Sequence, residues 1–160
     1  TGAYTFAISS HVGEKGHVYA VDMWQKGIMA IDRRMQEQGM KNITTLRADI
    51  RKHIPVDSKS IDLCFMAAVM HELAQENAVV GAVKECVRIL KKKGRLAIVE
   101  FVKNEPSPGP PDNIRLTPEQ VCEQVIPYGF GLQRTESLGS GLRFFLFKKE
   151  KECCYFWVFP

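Results

Sequence analysis

The chain has 160 residues, enough for one domain with a substantial core, and its 45% hydrophobic and 25% charged residues exclude a disordered or fibrous chain. Its net charge of +4 sits in short runs at residues 91–93 and 148–149, with no basic stripe interleaved with aromatics, so a nucleic-acid surface is not expected. No apolar run approaches the roughly 18 residues a membrane span needs, and the five cysteines are odd in number and lack zinc spacing, which argues for free thiols and a reducing, cytoplasmic setting.

Strands and helices alternate along the chain. Residues 3–10 read as a helix following directly on Gly2, and residues 18–21 as a strand that is apolar on consecutive positions, the pattern of a strand buried on both faces. Trp24, Ile28, Ile31 and Met35 recur at helical spacing, with Gly39 as the stop. Short strands are expected at 43–46 and 61–66. Val79, Ala82, Val83, Cys86, Val87 and Leu90 then form the apolar stripe of a helix, whose last turn would carry Lys91, Lys92 and Lys93 and which Gly94 would end. A strand at 96–99 leads into the proline-rich segment 103–113, read as a loop or lid. Thr117, Pro118 and Gln120 form a helix-start signal with a capping box, and Gly129 closes that helix. Residues 132–138 and 142–147 flank Gly139, Ser140 and Gly141 as a hairpin. The expected fold is therefore α/β: a doubly wound, Rossmann-like sheet, mostly parallel, with one antiparallel C-terminal edge strand.

Asp22 carries the strongest functional signal. It closes the apolar strand and lies twenty positions after Gly2. An acid at a strand end at that distance from a glycine turn can accept hydrogen bonds from both hydroxyls of a ribose. His71 falls just past the strand at 61–66, where open α/β sheets bind ligands, and an imidazole there can serve as a base or a hydrogen-bonding clamp.

These residues resemble the class I S-adenosylmethionine-dependent methyltransferases, in particular the small-molecule branch similar to ubiquinone/menaquinone biosynthesis methyltransferases. The resemblance rests on Thr1-Gly2 leading into a helix, Tyr19-Ala20-Val21-Asp22, Arg47-Ala48-Asp49, Ile61-Asp62-Leu63, Met70-His71-Glu72-Leu73, the stretch 87–96, Gly109-Pro110-Pro111 and Leu116-Thr117-Pro118-Glu119. It covers residues 1–149 as one methyltransferase domain, with residues 150–160 as a tail. It implies that Thr1 and Gly2 belong to the glycine loop under the methionine part of S-adenosylmethionine, that Asp22 binds the ribose and that Met23 lies against the adenine. It further implies that Asp49 accepts from the adenine amino group beside Ile50, that Ala67 lines the cofactor pocket, and that His71 and Glu72 stand at the mouth for a small-molecule methyl acceptor, His71 in the catalytic role. No metal site is implied.

The strand that precedes the glycine loop in that family is absent from this sequence. In the family it separates the strands expected at 18–21 and 61–66, so these two are expected to lack a shared partner. A nicotinamide-dependent oxidoreductase also fits a glycine turn followed by Asp22, and a non-catalytic binding or scaffold subunit fits an incomplete loop. The apolar tail from Cys153 to Pro160 reads as an extra edge strand, a partner surface or the aggregation-prone product of a damaged reading frame.

Overall fold

The computed structural model describes residues 2–105 and 107–150. The chain divides into two compact units, Thr1–Pro55 and Val56–Pro160. Thr1 and the tail from Cys153 to Pro160 lie outside the described residues.

The first unit is α1 (Ala3–Val12), β1 (Val18–Asp22), α2 (Gln25–Gln38) and β2 (Ile43–Arg47). β1 and β2 pair in parallel, with Val18 opposite Ile43 and Asp22 opposite Arg47. Their core is Phe6, Ala20, Ile31 and Ile43, with Val18, Met35 and Met40 packed against it. Each large side chain so buried contributes roughly 1.5–3 kcal/mol. Asn42 ties the end of α1 to the start of β2. Its amide donates to the Ser9 and Gly13 carbonyls at 3.1 and 2.9 Å, and its oxygen accepts from Ser9 Oγ at 2.7 Å. α2 stops at Gly39, whose φ of 63° is the left-handed conformation glycine adopts without steric cost. The stripe expected for α2 is shorter than its spacing suggested: Ile28 and Ile31 are buried, whereas Trp24 precedes the helix and is 72% exposed.

The second unit holds β3 (Ile61–Ala67), α3 (Met70–Gln75), α4 (Val79–Ile89), β4 (Leu90–Phe101), α5 (Pro118–Val125), β5 (Phe130–Gly139) and β6 (Leu142–Lys149), with single 3-10 turns at Asp112–Ile114 and Ile126–Tyr128. The sheet order is β3-β4-β6-β5. β3 and β4 are parallel, and β6 runs antiparallel to both β4 and β5, its hairpin partner. β1 and β3 belong to different sheets, as expected for two strands with no common neighbour. Thr117 and Gln120 form the capping box: the Gln120 N–H donates to Thr117 Oγ1 at 3.2 Å and the Thr117 N–H to Gln120 Oε1 at 2.9 Å.

The lysine run at 91–93 is not the end of a helix. α4 ends at Ile89, and Leu90 is already extended and paired with Ile61. The next pair is Leu63 with Arg95, so residues 91–94 bulge out between two pairings. Gly94 serves that bulge, because a Cβ there would lie 2.9 Å from Leu90 Cδ2. Lys91 Nζ instead meets the Asp62 carboxylate at 2.8 Å. Arg88 stands in the last turn of α4, and the charged donor on its last carbonyls comes in addition from far along the chain: buried Lys149 donates from Nζ to the carbonyls of Val87 and Leu90 at 2.7 and 3.0 Å.

The segment 103–113 is pinned. Arg115, 5% exposed, donates to the carbonyls of Glu105, Ser107 and Pro110 at 2.7, 3.2 and 2.8 Å. The turn Asp112–Ile114 packs against α3, the helix that carries His71.

Candidate functional site

In the first unit the parallel pairing brings the C-terminal ends of β1 and β2 together, and with them Asp22 and Asp49. The Ala48 N–H donates to the Asp22 carbonyl at 3.1 Å, which joins the two strand ends. Asp22 turns an exposed carboxylate toward the start of α2. Oδ1 accepts from the Trp24 N–H at 2.8 Å, and Oδ2 accepts from no group among the described residues. Gly27, in the first turn of α2, leaves room for it: a Cβ there would lie 2.8 Å from Oδ2. One carboxylate oxygen is thus fixed by the backbone and the other is open, over a helix start whose dipole favours negative charge.

Asp49 is differently placed. Arg51 grips it with two side-chain bonds, Nε to Oδ1 at 2.7 Å and Nη2 to Oδ2 at 2.9 Å, and its own N–H adds a third to Oδ1 at 3.0 Å. The Arg51 guanidinium beside it holds the carboxyl below the usual aspartate range. A carboxylate accepts about four hydrogen bonds, so it retains capacity for one more donor. Met23 is 49% exposed beyond β1 and Ile50 is half-buried beside Asp49. Gly2 caps α1 with φ 72°, and a Cβ there would lie 3.0 Å from Ile31 Cγ1, so this turn requires glycine both for its backbone and for its fit.

In the second unit Ala67 ends β3. Ala68 follows with φ 53°, a left-handed conformation that costs a non-glycine residue roughly 1–2 kcal/mol, and its N–H donates to the Val99 carbonyl at 2.8 Å. This sharp turn starts α3 immediately, and His71 becomes its second residue. His71 is 5% exposed, and its Nδ1 lies 2.9 Å from Oε1 of Glu100, which is fully buried near the end of β4. The same Oε1 accepts from the Phe101 N–H at 2.8 Å, while Oε2 accepts from the His71 N–H at 3.3 Å. Glu72, next along the helix, is exposed.

Glu100 is the residue that sequence reasoning missed. Its signal was a lone acid inside the apolar run Leu96, Ala97, Ile98, Val99 and Phe101, because a glutamate is almost never fully buried unless it is paired. Surface concavities of about 340 Å³ lie beside Met35 and Lys41, and beside Val79 and Tyr128, away from these side chains.

The Methyltransf_11 family, a methyltransferase domain, matches residues 1–98. The chain belongs to that family. A demethylmenaquinone methyltransferase from Lactobacillus johnsonii is 27% identical over 100 residues, which are 62% of this chain and 40% of that protein, so the chain spans less than half of this curated relative. A SAM-dependent methyltransferase from Aquifex aeolicus is 28% identical with a TM-score of 0.84, over 92% of this chain and 77% of that one. A type 11 methyltransferase described as putative, from Sulfolobus solfataricus, shares the fold at 17% identity and a TM-score of 0.72, over 94% and 79% of the two chains. The α/β architecture is therefore the Rossmann-like one of this family. Among the described residues no helix is long and apolar enough to cross a membrane.

Proposed function

We propose that the protein transfers a methyl group from S-adenosylmethionine to a small-molecule acceptor. The observation that carries this reading is the Asp22 carboxylate: one oxygen anchored on the Trp24 N–H, the other open, at the end of a parallel strand in a chain of the methyltransferase family. The family match runs across both compact units, and we read residues 1–149 as one methyltransferase domain.

In this reading Asp22 holds the ribose. Asp49, oriented by Arg51, takes the adenine amino group, with Met23 and Ile50 against the ring. Gly2 supports the methionine end, and Ala67 lines the pocket. S-adenosylmethionine, when bound, supplies a methyl already activated by its sulfonium, so the chain has to align the acceptor and remove any proton it loses. His71 is the group for that proton. The working compartment is the cytoplasm, where Cys64 and Cys86 would remain the free neighbouring thiols they are; the bond to Cys64 and burial hold the Cys86 thiol well above its usual range.

Isothermal titration of the full-length protein with S-adenosylmethionine and, separately, with NAD tests the reading. S-adenosylmethionine should bind and NAD should not. Asp22→Ala should weaken binding by roughly ten- to a hundredfold through loss of a charge-assisted interaction worth about 1.5–3 kcal/mol. Preferential NAD binding, or unchanged S-adenosylmethionine affinity in a folded Asp22→Ala protein, would sink it.

A further inference from the structure

We infer that Glu100 is the positioning residue for His71: it fixes the imidazole with its proton on Nδ1 and so leaves Nε2 as the lone pair that takes a proton from the acceptor. This rests on the reading of His71 as the proton acceptor and adds to it the residue that makes the ring competent.

Burying a carboxylate completely is costly, and the effective penalty runs to several kcal/mol unless hydrogen bonds replace the lost water. Glu100 is 0% exposed and meets that need through three polar contacts. Two are with backbone N–H groups, of Phe101 and His71, which can only donate. Both carboxylate oxygens therefore act as acceptors. Oε1, already accepting from Phe101 at 2.8 Å, lies 2.9 Å from Nδ1, and that contact is favourable when Nδ1 carries hydrogen.

No other ionisable side chain of the described residues bonds to Glu100. Arg143 stands opposite it in the β4–β6 ladder, yet its guanidinium is directed to Glu105 at 3.6 Å. The Glu100 carboxylate thus serves one titratable partner. The other ring nitrogen of His71 is left available. Nε2 bonds to no described residue, and it is not one of the buried polar atoms sealed without a partner. Glu100 thus holds the first turn of α3 at both the His71 backbone and its ring, through the Nδ1 edge.

The proton balance is simple. As the acceptor's O–H or N–H atom forms its bond to the methyl carbon, the carbon–sulfur bond breaks with its electron pair leaving to sulfur. The acceptor's proton moves to Nε2, and the Glu100 carboxylate stabilises the imidazolium that results. With the proton on Nε2 instead, the ring would present a donor to the acceptor and could not take that proton.

Nitrogen-15 and proton NMR of the full chain at mildly alkaline pH, with His71 assigned through His71→Gln, reads the tautomer directly and without any acceptor. The expected result is a protonated Nδ1 with a downfield Nδ1–H resonance. Glu100→Gln is nearly isosteric. Its amide oxygen is best placed at the Oε1 position, where it retains two bonds and gives up only the 3.3 Å one. That variant should keep the Nδ1–H tautomer, move the proton resonance upfield because the acceptor has lost its charge, and bind S-adenosylmethionine within about twofold of wild type. A protonated Nε2 in wild type, an unmoved resonance in Glu100→Gln, or a tenfold loss of cofactor affinity in that variant would each overturn the assignment. Failure of the methyltransferase reading would appear elsewhere, as absent S-adenosylmethionine binding in wild type, and would leave the tautomer result standing.

Discussion

Replacing Gly27 with alanine should separate stability from cofactor affinity. Gly27 lies in the first turn of α2, and a Cβ there would stand 2.8 Å from Asp22 Oδ2 and 3.4 Å from its Cγ. To restore ordinary contact the carboxylate has to retreat by about half an ångström, a shift as large as the whole distance range of a good hydrogen bond. It cannot do so freely, because Oδ1 is pinned by the Trp24 N–H at 2.8 Å. With that bond kept, the carboxylate turns about it and Oδ2 swings away from its open position. The loss of one charge-assisted bond costs about 1.5–3 kcal/mol, or roughly a ten- to hundredfold rise in Kd for S-adenosylmethionine. The helix gains from the same change: alanine is favoured over glycine by up to about 1 kcal/mol in a helix interior, and somewhat less in a first turn. Gly27→Ala should therefore melt at the same temperature as wild type or a little higher, while titration calorimetry shows weaker binding. Unchanged affinity in this variant would mean that the Asp22 carboxylate does not hold the ribose in the geometry described.

Lys149→Met should lower stability by about 1–3 kcal/mol, seen as a lower urea midpoint at constant slope, because it leaves two carbonyls at the end of α4 without their charged donor while sparing the desolvation of an ammonium. An unchanged midpoint would show that the buried ammonium gains nothing over a thioether. Arg51→Met should reveal the Asp49 pair through its pH dependence. Arg51 depresses the folded carboxyl below its unfolded value, so the pair's contribution is complete above the ordinary aspartate pKa of about 3.9 and disappears as pH falls through the depressed value. The Tm gap between wild type and Arg51→Met should be widest near neutrality and close in acid. A gap that persists unchanged into strong acid would trace the effect to packing instead of charge.

Much of the fold was legible because its signals are local. The capping box at Thr117 and Gln120, the left-handed stop at Gly39 and the glycine hairpin at 139–141 each act within a few residues, and each is present in the structure. The misreadings arose where a local pattern was overruled by pairing. Lys91 to Lys93 have the composition of a helix C-terminus, yet the early pairing of Leu90 with Ile61 begins the strand before the lysines. Trp24 continues the spacing of Ile28 and Ile31 but is the residue just before the first helical turn, in extended backbone with its N–H taken by Asp22 Oδ1. Local periodicity carries no information about either event.

The site residues divide along the same line. Asp22 could be proposed from the sequence because strand, acid and preceding glycine all fall within one short stretch. Arg51 was within reach, two residues from Asp49, but a guanidinium that near in sequence reads as a solvated charge until the backbone turn closes the bidentate geometry. Glu100 was beyond reach by proximity, since 29 residues separate it from His71. What joins them is the parallel pairing of β3 and β4, which sets Ala67 beside Val99 and so brings the turn after β3 and the last residues of β4 to a common end. In the first unit the pairing of β1 and β2 does the same for Asp22 and Asp49. A parallel sheet thus turns a one-dimensional rule, chemistry just past a strand, into pairs of side chains from distant parts of the chain. For such a fold, a charged residue at the close of an apolar strand should be read first against the residues that close the neighbouring strand.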